Sequence, residues 1–275
     1  MDWLTEPFAF EFMQRAVVGG ILAVLTTSLV GTWVVLRGMA FIGDALAHGV
    51  LPGIAVAFLL DGSLMVGAVL SAMVMIGLIA LVRRSTRLSE DTAIGLLFVG
   101  MLALGVIIIS RSGSFAVDLV AILFGDILGT SNRDLAVQAG AAALAMVGVA
   151  LFYRPLLALA FNPQKARVLG MRPDLAHLVM MGLVMVAVVS SFQTVGALLV
   201  FGLLLAPPAT ASLVARRVPV MMGVSALAGS VAVVAGLLLS YHLDIAAGAA
   251  VAGIAVASFF ATLVAKTIAD RARIR

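Results

Sequence analysis

Nine apolar runs, each roughly twenty residues long, leave this chain few ways to fold. A helix crosses the hydrocarbon core of a bilayer with about 17–25 residues. In lipid every backbone N–H and C=O must be satisfied inside the protein, so repeated runs of this length predict membrane-spanning helices. The expected fold class is all-α, a polytopic transmembrane bundle of eight or nine spans in a single domain over residues 1–275. A mean hydropathy of +1.22 fits that reading and not a soluble core.

The predicted spans are 16–36, 39–60, 63–82, 91–110, 135–153, 175–191, 195–214, 219–239 and 245–265. Residues 1–15 interleave Trp3, Phe8, Phe10 and Phe12 with acids and read as an anchor at the membrane edge. They lack a basic start, so no signal peptide is expected. Residues 111–133 are apolar but broken by Asp118 and Asp126, which predicts a short helix on the surface or between spans. Residues 154–174 form the longest polar connection, with Asn162-Pro163 as a helix start and Gly170 before Pro173 as a stop. Ser190, Ser191, Gln193, Thr194 and Gly196 make a polar break between two spans. If the first run does not cross, the count falls from nine to eight.

Basic residues set orientation in such a protein. Placing Arg37, the Arg83 cluster, the 154–174 loop, Arg216-Arg217 and the tail together puts 14 of the 17 Lys and Arg on one side. That side is expected to be cytoplasmic, with the C-terminus on it. The formal charge of +4 is therefore a topology signal, and no nucleic-acid partner is expected. The chain contains no cysteine, which excludes disulfides and thiolate metal sites. Close-spaced Gly and Ala, as at Gly236 and Ala246 to Ala250, let helices approach closely in lipid.

Of 13 acids and three histidines, only Asp44 and His48 lie well inside a span. An acid in hydrocarbon costs on the order of 2.5–3.5 kcal/mol on insertion scales. Positions i and i+4 share one helix face. Carboxylate and imidazole on one face form half of a divalent transition-metal site. Each alone has a plainer account: His48 as an interhelical hydrogen bond, Asp44 as a cap near the helix start. Two ligands are too few for a stable site, so a passing site, or two copies of the pair meeting across a dimer axis, is the expectation. Pro52, one turn on, predicts a kink beside the pair. His242 and Asp244 make a looser pair in the last external turn, where they can meet a partner or an entering ion, or simply lie in a solvated loop. Met73, Met75, Met180, Met181 and Met185 show no i, i+4 pattern facing the Asp44 helix, which predicts packing rather than a thioether path.

The chain has no P-loop: Lys165 precedes Ala166, and Lys266 precedes Thr267 but follows Ala265. It is expected to be no enzyme and to bind no cofactor; energy must come from a partner or an ion gradient.

GDALAHGVLPGIAVAF (Gly43 to Phe58) resembles the signature helix of the zinc and manganese permeases of ATP-binding-cassette importers, the ABC-3 family. SEDTAIGLLF (Ser89 to Phe98), LFGDIL (Leu123 to Leu128), NPQKARVLGM (Asn162 to Met171) and VGALLVFGLLLAPPATA (Val195 to Ala211) resemble it in the same order. The resemblance implies a bundle related to the vitamin B12 and siderophore permeases, working as a homodimer in the bacterial inner membrane. It implies a divalent metal, Zn²⁺, Mn²⁺ or Fe²⁺, as transported substrate, met by Asp44 and His48. It implies a periplasmic or lipoprotein metal-binding protein outside and an ATPase subunit, which binds the ATP, in the cytoplasm. The ATPase-coupling surface helix corresponds to about Pro163 to Gly170, with Lys165 and Arg167. Ala47 stands where the family often has serine, and DIAAG (Asp244 to Gly248) lacks the proline usual in that turn. The rival expectation is a proton-coupled secondary metal transporter with Asp44 as the relay; no inverted repeat is evident for it.

Overall fold

The protein is described by a computed structural model over residues 6–110, 127–162, 164, 167 and 172–273. All regular structure among the described residues is helical. After a 3-10 turn (Glu6–Ala9), the helices are α1 (Glu11–Arg37), α2 (Phe41–Gly49), α3 (Leu51–Leu59), α4 (Leu64–Ser85) and α5 (Glu90–Ile109). They are followed by α6 (Asn132–Phe161), α7 (Pro173–Val214), α8 (Val218–Leu243) and α9 (Ala247–Arg273).

Local sequence explains the boundaries. Ser63, Ser89 and Ser131 cap α4, α5 and α6, each accepting from the backbone N–H three residues on. Asp134 returns the bond to Ser131 and completes a capping box. Gly38 closes α1 in the left-handed region, at φ 67°. Pro52 has no N–H to give the His48 carbonyl, and the second predicted span accordingly breaks at Val50 into α2 and α3.

Eight helical stretches are long and apolar enough to cross a bilayer, counting α2 with α3 as one, and Leu198–Val214 is a shorter apolar helix. Helix–helix contacts fix their directions. Gly20 faces Val233 and Gly229 faces Val24, so α8 runs antiparallel to α1. Gly236 meets the backbone of Val251, so α9 runs back antiparallel to α8. The start of α7 pairs with the ends of α4 and α5 through Asp174 and His177. Its Ser190 instead lines a cleft with Ser63, Arg133 and Asp134 at the opposite end. Its last turn is back at the first end, where the Leu213 carbonyl accepts from Lys266. The 42-residue α7 is thus two legs, reversed at Gly196, where φ is 78° and ψ 160°. That conformation is essentially open to glycine alone.

The reversal lies within the predicted polar break. Alanine at 196 is expected to cost about 1–3 kcal/mol, read as a lower unfolding midpoint of the detergent-solubilised protein. An unchanged midpoint would show that the reversal does not need this backbone.

One expectation is corrected. The polar connection was placed at 154–174, but α6 continues through Arg154 and Pro155 to Phe161. Leu156 and Leu159 are buried, at 1% and 3% exposure, and Arg37 Nη1 donates to the Leu159 carbonyl. Apolar burial and an external cap for the helix end outweigh one missing proline N–H. Asn162 is the α6 C-cap, and Gln164 and Arg167 beyond it are helical; Pro163 lies outside the described residues, as do 111–126.

Candidate metal pathway site

Asp44 and His48 occupy one face of α2, with His48 Nε2 3.4 Å from Asp44 Oδ1. Two ligand atoms bonded to one transition-metal ion at about 2.0–2.2 Å sit roughly 3–3.5 Å apart. The pair is therefore already spaced to share an ion. The side chains are 36% exposed for Asp44 and 20% for His48, so they open onto the outside of the protomer.

Four neighbours hold the pair. Phe98 of α5 meets the His48 ring edge to face, with centroids 5.4 Å apart. Ser71 of α4 donates to the Gly49 carbonyl at 2.7 Å, anchoring the backbone at the break. Gly105 of α5 lies against Leu51 and Pro52, so α5 packs along the kink. Gly49 has no room for a side chain, because a Cβ there would lie 2.1 Å from Met75 Sδ. Met75 meets the Asp44 helix there. It is fully buried against it, which is a packing role.

On the other flank of the pair, Gly43 faces Leu204 and Phe201 of α7. Phe201 also lines an apolar groove of about 630 Å³ between the second leg of α7 and α9, with Leu205, Ala252 and Phe259. Among the described residues no group of three or more His, Asp or Glu could hold a metal ion.

The other expected residues are elsewhere. His242 is half-buried, edge to face with Tyr241 at the far end of α8. Asp244 is exposed and in the left-handed region, at φ 50°. Arg167 is exposed and lies 3.9 Å from Asp174, while Pro163, Lys165 and Gly170 lie outside the described residues.

The structure also assembles a cluster that sequence spacing did not predict. Glu90, the first residue of α5, has Oε1 3.0 Å from His177 Nε2 and 3.8 Å from Arg83, and Oε2 3.3 Å from Arg37. Arg83 also holds Asp174 at 3.0 Å. The sequence put Glu90, Asp174 and His177 at span ends on the basic side; no spacing rule joins residues 37, 83, 90 and 177.

Residues 9–266 match the family described as the ABC 3 transport family. The manganese transport system membrane protein MntC of Halalkalibacterium halodurans is 37% identical over 91% of this chain and 86% of its own length. The chelated iron transport system membrane protein YfeD of Yersinia pestis is 35% identical over 98% of this chain and 91% of its own. Among solved structures, PsaBC from Streptococcus pneumoniae in complex with Fab superposes with a TM-score of 0.84 at 32% identity, covering 95% of this chain and 94% of that one.

Proposed function

Because the chain belongs to the ABC 3 transport family, as a permease subunit and not an enzyme, we propose that it carries manganese or ferrous ion inward across the bacterial inner membrane. Zinc is the third member of the same substrate class. The observation that carries the reading is the Asp44–His48 pair, spaced for one ion and open to the protomer's outside beside a helix break. A carboxylate with imidazole suits borderline divalent ions, and a passing cargo needs fewer ligands than a resident one.

A half-exposed carboxylate beside an apolar groove cannot face lipid without a large penalty. A second copy of the chain is the natural cover. Two protomers related by a two-fold axis present the same patch to each other, which doubles the ligand set to two carboxylates and two imidazoles. The translocation path then runs between the copies. A metal-binding protein delivers the ion on the side of His242 and Asp244. A separate ATPase subunit binds the ATP and docks on the opposite, arginine-rich side, at the segment that includes Arg167. That side is the cytoplasmic one by the bias of basic residues, and it carries the C-terminus.

Reconstitution of the chain with its ATPase in proteoliposomes tests this. Uptake of Mn²⁺ or Fe²⁺ is expected to require ATP and the ATPase. Uptake driven by a proton gradient without ATP would overturn the reading and restore the secondary-transporter alternative.

A further inference from the structure

We propose that Glu90 is a positioning residue that couples the ATPase-facing segment to the Asp44–His48 pair, an inference that rests on the function proposed above. The geometry forms a continuous chain. Arg167, from the polar segment, lies 3.9 Å from Asp174 at the start of α7. Asp174 is held by Arg83 at 3.0 Å, and Arg83 reaches Glu90 at 3.8 Å. Glu90 is the first residue of α5, and Phe98 on the same helix packs its ring on His48. A helix rises 1.5 Å per residue, so Glu90 and Phe98 are about 12 Å apart along one stiff rod.

The other contacts make Glu90 the pivot of this chain. Arg37 of α1 and His177 of α7 hold its carboxylate from the scaffold side, at 3.3 and 3.0 Å. The side chain of Glu90 is 19% exposed and that of His177 6%, so these pairs are shielded from solvent. Breaking the shielded Arg37–Glu90 pair is costly, because losing one partner strands the other charge. These contacts tie the first turn of α5 to α1, α4 and α7. Because α5 packs along the Leu51–Pro52 break, a change there moves Phe98 against His48.

The prediction is an uncoupling. Glu90→Gln keeps the side chain's shape and removes the charge that three partners share. In proteoliposomes holding the permease with its ATPase, it is expected to hydrolyse ATP within about twofold of wild type while metal carried per ATP falls at least about tenfold. Mn²⁺ affinity at the pair is expected to stay within about twofold. Asp174→Asn, at the more exposed end of the chain where folding is least at risk, is expected to lower metal per ATP about threefold. Glu90→Asp, which keeps a carboxylate, is expected to recover part of the coupling.

Unchanged metal per ATP in both Glu90→Gln and Asp174→Asn overturns the proposal. So does a parallel fall of hydrolysis and transport, which is what a purely structural role would give. A wild-type permease with no ATP-dependent uptake would fail the functional reading itself, and this inference with it.

Discussion

Alanine at Asp44 or at His48 is expected to lower metal uptake by about a hundredfold while the protein still reaches the membrane. Removing even an outer-shell partner of a metal ligand typically costs 10–100-fold in affinity or activity, and these are the proposed ligands themselves. Loss of fold is not the cause to expect. A carboxylate in hydrocarbon costs about 2.5–3.5 kcal/mol, so Asp44→Ala makes insertion easier. Asp44→Asn separates charge from shape, and is expected to be nearly as inactive as alanine. Uptake of Mn²⁺ into proteoliposomes, normalised to the amount of inserted permease, checks this; a wild-type rate in either alanine variant would remove the pair from the pathway.

A large stability effect is expected at Gly31→Ala. A Cβ at 31 would stand 2.0 Å from the Leu204 carbonyl oxygen and 3.0 Å from Pro208. The close neighbour is backbone and cannot rotate aside, so α1 and the second leg of α7 must separate. Overpacking costs typically about 1–3 kcal/mol, and the upper end applies here, near a hundredfold in the folded fraction. The expected readout is loss of monodisperse protein in detergent. Gly223→Ala is the control: nothing lies within 4 Å of its Cβ position, and mid-helix alanine stabilises by about 0.5–1 kcal/mol over glycine. Equal behaviour of the two variants would refute the packing argument. The contact also joins two sequence features. Pro208 has no N–H for the Leu204 carbonyl, and Gly31 lets α1 come close enough to cover that oxygen with its own backbone.

The sequence revealed what depends on neighbours along the chain. Asp44 and His48 share a face because they are one turn apart, and the kink follows from Pro52. The polar stretch before Gly196 marked the reversal. Features made by distant residues stayed hidden. The span looked finished at Tyr153 because the burial of Leu156 and Leu159 and the hydrogen bond from Arg37 are tertiary facts. Glu90 and His177 looked like ordinary residues at span ends, because nothing local reports that ends of α1, α4, α5 and α7 converge.

The reversal at Gly196 does more than shape one helix. With it, the second leg of α7 returns to the end where Arg83 and Asp174 meet, and the start of α1 and the end of α9 lie at opposite ends of the bundle. A single residue without a side chain therefore decides at which end of the bundle α8 begins and α9 stops.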